Sequence, residues 1–282
     1  MIRRVIVHVG TEKTGTSALQ QYMFDQRDEH AACGVYYPPT HNIYPLHKWL
    51  TKPLKRGNAE AFVKAIDAGV AAAPAGTHTV FFSQEGIHGA WNSFPDEGKD
   101  GLRKAAARYP LEIWVYFRDP LAYMVSLYIE MVRRPPHIND SARERSLDEM
   151  LLEPTFIENF DYTEFVENVG DLVGSDKVIV RPYTGSTIGD VCRNLGLPQR
   201  PVEERHHISI GAPTVERLRQ LNALSLQPDE HLAARNAIIA EDDPSLPRFV
   251  PTDAATKTAE AYRVTHGGLH TSSGQALRDL WI

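Results

Sequence analysis

The chain has 282 residues, of which 42% are aliphatic or aromatic and 23% charged, the balance of an ordinary globular protein. Its formal net charge of -6 excludes the global basic field of a nucleic-acid binder but leaves room for a local basic pocket that holds a small anion. The two cysteines, Cys33 and Cys192, lie far apart in no metal-ligand spacing, which excludes a disulfide framework and a cysteine-based zinc site and fits a reducing, cytoplasmic compartment.

No apolar run approaches the roughly 18–20 residues of a membrane span. Arg3 and Arg4 precede only the short stretch Val5–Val9, which ends in a glycine loop and therefore reads as a strand rather than a signal peptide. Further strands are expected at Val35–Tyr37, Thr79–Ser83, Glu112–Phe117 and Lys177–Arg181. Helical periods lie between them: Thr16–Ala32, closed by Gly34; Ala59–Ala73, closed by Pro74; Glu97–Tyr109, closed by Pro110; and Leu121–Val132, closed by Pro135 and Pro136. Strands separated by helices imply crossover connections and hence a parallel sheet covered on both faces. The expected fold is a three-layer α/β/α domain with about five parallel strands.

The stretch Arg133–Ser146 breaks this rhythm with two prolines and mixed charge, and reads as an exposed loop: a solvated connection, or a lid over an acceptor. Helices return at Thr214–Leu224, Asp229–Ala240 and Thr252–Thr265. No linker-like composition separates them from the rest, so residues 1–282 read as one domain, with an α/β core over 1–200 and a helical extension over 201–282.

Two segments carry chemistry. After the first strand the chain runs Gly10-Thr11-Glu12-Lys13-Thr14-Gly15-Thr16-Ser17 into a helix. Glycines in such a strand–loop–helix let backbone amides converge on an anion at the positive helix end, where Lys13, Thr14, Thr16 and Ser17 add charge and hydroxyl donors. Gly10 and Gly15 match the glycines of the nucleotide triphosphatase pattern G-x-x-x-x-G-K-[ST], but Thr16 stands at its lysine and the lysine has moved inside the loop, to Lys13. A triphosphate with magnesium is therefore not the expected ligand.

In the second segment an apolar strand ends at Phe117. Asp119 then sits where a helix N-cap belongs and Pro120 where the first helical residue belongs, which favours capping over a magnesium-ligand role for Asp119. Arg118 is left at the carboxyl end of a parallel strand, where open α/β sheets bind ligands. Ser126 lies seven residues beyond Asp119, two helical turns on, so that Arg118 and Ser126 can address one phosphate.

Together these segments resemble the sulfotransferases that use 3′-phosphoadenosine 5′-phosphosulfate (PAPS). Glu12-Lys13-Thr14-Gly15-Thr16-Ser17-Ala18-Leu19 is similar to that family's 5′-phosphosulfate loop, departing only in Glu12 for proline, and Glu12 is expected to face solvent. Arg118-Asp119-Pro120 with Ser126 is similar to its 3′-phosphate element. Later segments, including His206 and His207 in HHISIGAPTVERLRQLN, resemble bacterial, carbohydrate-type members, so the likeness runs from about residue 5 to about residue 224. Those adjacent histidines diverge and suggest no metal site.

The resemblance implies direct transfer of a sulfuryl group from PAPS to a hydroxyl acceptor, a carbohydrate or other small metabolite, with no metal. Lys13, Thr14, Gly15, Thr16 and Ser17 would hold the 5′-phosphate, Lys13 would stabilise the leaving oxygen, and Arg118 and Ser126 would hold the 3′-phosphate. The general base is left among Glu85, at a strand's carboxyl end, and His47 and His41, in the loop after the second strand. The alternatives are a P-loop kinase or triphosphatase, and a non-catalytic nucleotide-binding module. The oligomeric state is not legible.

Overall fold

The computed structural model describes residues 2–40, 45–134, 141–199, 210–243, 245–271 and 273–281. Its centre is one five-stranded sheet of β1 (Arg4–His8), β2 (Val35–Tyr36), β3 (Thr79–Ser83), β4 (Leu111–Phe117) and β5 (Val178–Pro182). The spatial order is β2-β3-β1-β4-β5, and every pairing is parallel. The apolar runs of β1, β3 and β4 are buried almost throughout, as strands covered on both faces must be.

The contacts divide the chain into two compact units. The first comprises Met1–Arg118, Asp161–Glu204 and Thr265–Ile282; the second comprises Asp119–Phe160 and Arg205–Val264. In chain order the helices are α1 (Thr16–Asp25), α2 (Arg27–Ala32), α3 (Thr51–Lys55), α4 (Ala59–Ala71), α5 (Gly86–Gly89), α6 (Asp96–Arg108), α7 (Pro120–Arg133), α8 (Leu147–Met150), α9 (Pro154–Ile157), α10 (Tyr162–Val173), α11 (Thr187–Leu195), α12 (Ala212–Asn222), α13 (Pro228–Ala240) and α14 (Asp253–Thr265).

In the first unit, alternation along the strands sends residues to opposite faces. Ile6, Phe81, Trp114 and Tyr116 pack with Leu19, Tyr22 and Met23 of α1 and Ile188, Val191 and Cys192 of α11. On the other face lie α4, α6 and α10, with Phe82 against Gly69 of α4 and Phe117 stacked on Tyr162 of α10 at 4.1 Å. The result is a three-layer α/β/α fold. Its chain path turns outward in both directions at the β1/β4 pair, and the carboxyl edge at such a switch point is the usual ligand position in open α/β sheets.

The second unit is helical. Asp119 caps α7 by accepting from the Ala122 amide at 3.0 Å and is held by Arg263, whose nitrogen lies 2.7 Å away. The other end of α7 carries no glycine cap. There Asn222 donates to the Val132 carbonyl at 2.9 Å, while Arg235 and Arg143 donate to those of Arg133 and Arg134. Two guanidinium groups thereby satisfy orphan carbonyls at the negative end of the helix dipole.

The five strands and six of the seven expected helices lie within one or two residues of the expected positions, whereas α3, α5, α8, α9, α10 and α11 have no counterpart among the expected helices. The expected Thr16–Ala32 helix is divided at Gln26 into α1 and α2. The expected loop Arg133–Ser146 begins inside α7 and contains a 3₁₀ turn over Ser141–Glu144; residues 135–140 lie outside the described residues. Both cysteines are free, Cys33 exposed and Cys192 buried.

Candidate active site

The site is built where β1 runs out. Val9 donates to the Trp114 carbonyl and Thr11 to the Tyr116 carbonyl, so the chain stays fastened to β4 before it turns. Lys13 then takes a φ of +67°, making it the one non-glycine residue in the left-handed region among the described residues, and Gly15 follows at +70°. A side chain there strains the backbone by about 1 kcal/mol or more, and such strain concentrates at functional sites.

Side chains hold this shape by fastening the loop's carbonyls. Thr14 Oγ1 donates to the Thr11 carbonyl at 2.6 Å, Thr187 Oγ1 to the Thr14 carbonyl at 2.7 Å, and Arg118 Nη1 to the Lys13 carbonyl at 3.2 Å. A loop of this shape, followed by a helix N-terminus, can form an anion-binding concavity. Gly15 is the N-cap of α1, no side chain caps the helix there, and its first turn contains no acid. Lys13 is half-buried and Ser17 exposed, placing an ammonium and a hydroxyl at this positive end.

Gly10 is required for a different reason. A Cβ at this position would lie 2.8 Å from His8 Nε2 and 3.2 Å from Thr16 Cγ2, so a side chain would collide with the floor of the loop. That floor is polar and buried. His8 Nδ1 lies 2.8 Å from Ser83 Oγ, which also accepts from Gln20 Nε2 at 3.2 Å, while His8 Nε2 has no partner among the described residues.

Burial drives the His8 pKa down to about 3, and likewise that of His88 to about 4. Both rings stay neutral in the folded protein but take up protons on unfolding below pH 6.5, so stability is lost as pH falls through that value. The expected slope is about 1.4 kcal/mol per pH unit for each ring. Urea unfolding at pH 7 and pH 5 should show this loss, with His8→Asn removing part of it; an unchanged slope in that variant contradicts the assignment.

The two described base candidates are placed very differently. Glu85 occupies the N-cap position of α5 at the carboxyl end of β3, half-buried and with no capping bond from its side chain, and its carboxylate accepts the Thr16 hydroxyl directly beside the loop. His47 is fully buried among Tyr37, Trp49 and Phe82. Its Nδ1 accepts from the Ser83 amide at 3.0 Å and its Nε2 faces the Pro38 carbonyl at 2.9 Å. Both ring nitrogens thus face backbone groups. His41, the third candidate, and the His206–His207 pair lie outside the described residues.

Glu12 is half-buried rather than fully solvated, and its Oε1 comes 3.9 Å from the position of a Cβ on Gly89 of α5. Arg118 stands at the end of β4 as expected, but its guanidinium reaches across to the Lys13 carbonyl, bringing the two predicted motifs together. Ser126 lies half-buried on α7, within the second unit.

Sequence reading did not single out Tyr183 and Thr187. The Tyr183 ring lies against Gly15 and 5.8 Å from the Arg118 guanidinium carbon, and Thr187 ties down the Thr14 carbonyl. A signal was present: both follow a strand at the sheet's carboxyl edge, in the turn-rich run Tyr183-Thr184-Gly185-Ser186-Thr187.

Among the described residues no group of three or more His, Cys, Asp or Glu side chains is arranged to hold a metal, and no helix is long and apolar enough to cross a membrane. No protein-family model matches the chain, and no curated protein matches it. A solved structure, a sulfotransferase from Alicyclobacillus acidocaldarius, aligns with 93% of this chain and 99% of its own at 16% identity and a TM-score of 0.41. So loose an overlay transfers neither ligand nor reaction.

Proposed function

We propose that this chain is a PAPS-dependent sulfotransferase acting on a hydroxyl acceptor, a carbohydrate or other small metabolite, in the cytoplasm. The observation that carries the reading is the Gly10–Gly15 loop. The carbonyls of Thr11, Lys13 and Thr14 each accept from a side chain, its lysine is held left-handed within it, a carboxylate lies at its edge, and the arginine of the second motif is bonded to its backbone.

PAPS supplies an activated sulfuryl group, so the work left to the protein is positioning and charge stabilisation. The amides of the loop, with Thr14, Thr16 and Ser17, hold the 5′-phosphate. Lys13 places its ammonium where charge grows on the departing bridging oxygen. Arg118 takes the 3′-phosphate, with Ser126 assigned to the same group by the motif alone. Glu85 accepts the acceptor's proton as the sulfuryl group leaves, and Thr16 exchanges Glu85 for the phosphate as its hydrogen-bond acceptor.

A kinase or triphosphatase reading is disfavoured by Thr16 at the position where those enzymes place a lysine. The test is to incubate the protein with PAPS and pools of hydroxylated acceptors and to follow the products by mass spectrometry. A non-catalytic module would bind adenosine 3′,5′-bisphosphate (PAP) and yield no sulfated product, whereas a kinase would bind ATP with magnesium.

A further inference from the structure

We infer that Arg118 is a positioning residue for the phosphate loop, so that a 3′-phosphate on the ligand acts on the loop that grips its 5′ end. The inference rests on the proposed PAPS site and assigns Arg118 a second task there.

The starting point is the cost of the Lys13 conformation. A left-handed lysine relaxes toward negative φ unless its neighbours over-determine it. One peptide further on, the Thr14 carbonyl is fixed by Thr187 from α11. At Lys13 itself the carbonyl accepts from the Arg118 guanidinium. Rotating the Lys13 peptide would break that bond and re-aim the amide of Thr14.

Arg118 is a firm anchor for this purpose. Its own carbonyl accepts from the Tyr162 hydroxyl at 3.0 Å, and the Tyr162 ring stacks on Phe117, the residue before it. The Phe117 carbonyl in turn accepts from the Tyr183 amide at 2.7 Å. The backbone of Arg118 is therefore fixed on both sides, and the remaining freedom lies in its side chain.

A guanidinium carries five N–H donors in a planar fork and can serve a carbonyl and a phosphate at once. Only one of those donors is used at Lys13. A phosphate gripped by the rest would immobilise the fork and, through it, the Lys13 peptide. The two ends of the nucleotide are then coupled through the protein, and the coupling must be reciprocal.

The experiment compares two probes, PAP and adenosine 5′-monophosphate (AMP), which lacks the 3′-phosphate. Calorimetric affinities are measured for both with the wild-type protein and Arg118→Ala. If Arg118 only recognised the 3′-phosphate, the substitution would weaken PAP and leave AMP unchanged. The coupling predicts that AMP also weakens, by about five- to tenfold, the loss of one modest hydrogen bond that shapes the loop.

Unchanged AMP affinity overturns the inference. A wild-type protein that binds neither probe overturns the PAPS reading itself, so the two failures are distinguishable. If Arg118→Ala does not fold, amide exchange in the wild-type loop decides the matter: at saturation PAP should protect Lys13 and Thr14 more than AMP does. Equal protection contradicts the inference, and a purely structural arginine would give that result.

Discussion

Lys13→Ala is expected to lower kcat for sulfuryl transfer by about 10²–10³-fold, the usual effect of deleting one group that stabilises charge developing in a transition state. Alanine isolates that effect. Both residues carry a Cβ, so the strain at φ +67° is the same before and after the change. The Lys13 carbonyl keeps its bond to Arg118, and the carbonyls of Thr11 and Thr14 keep theirs to threonine hydroxyls. The loop should therefore persist and PAP binding should fall far less than turnover. Steady-state kinetics beside calorimetry would show the split. A loss confined to KM, with kcat intact, would mean that Lys13 binds the donor without assisting departure.

The second large effect is expected at Glu85. Glu85→Gln keeps the size of the side chain and a group able to accept from Thr16, but removes the base, for which a loss of about 10²–10⁴-fold in kcat is typical. Donor affinity should hold or rise, because a negative charge is removed from beside the anion cradle. These opposite directions separate a catalytic carboxylate from a merely structural one, whose substitution would lower stability and leave kcat nearly unchanged. Full activity in Glu85→Gln would move the base elsewhere, with His41 the next residue to replace.

Local signals made the sheet and the loop readable in advance. Runs such as Val5-Ile6-Val7 and Ile113-Trp114-Val115 have no other stable use than buried strands, and Asp119-Pro120 announces the start of α7 through capping and fixed φ alone. Two further local signals mark helices. The capping box of Ser146 with Glu149 marks α8, and Asp161 opens α10, whose Tyr162, Phe165, Val169 and Val173 recur on one helical face.

Other features have no local signature. The Thr187–Thr14 and Arg263–Asp119 contacts join residues 173 and 144 positions apart, and no periodicity encodes such a pair. His47 and Glu85 looked alike as bases because both follow strands. They are separated by burial: one ring is locked to backbone inside an aromatic shell, while the carboxylate stands at the edge of the loop. The net charge of -6 described the surface, whereas the proposed chemistry rests on two cations, Lys13 and Arg118, joined through a single backbone carbonyl.

The central claim is that this loop presents PAPS for sulfuryl transfer. Mass spectrometry of hydroxylated acceptor pools incubated with the protein and PAPS, without added metal, tests it most directly. The expected result is an acceptor heavier by one sulfuryl group, an equal amount of PAP released, and loss of both products in Lys13→Ala. Phosphorylated products from ATP and magnesium, with no sulfated product from PAPS, would contradict it.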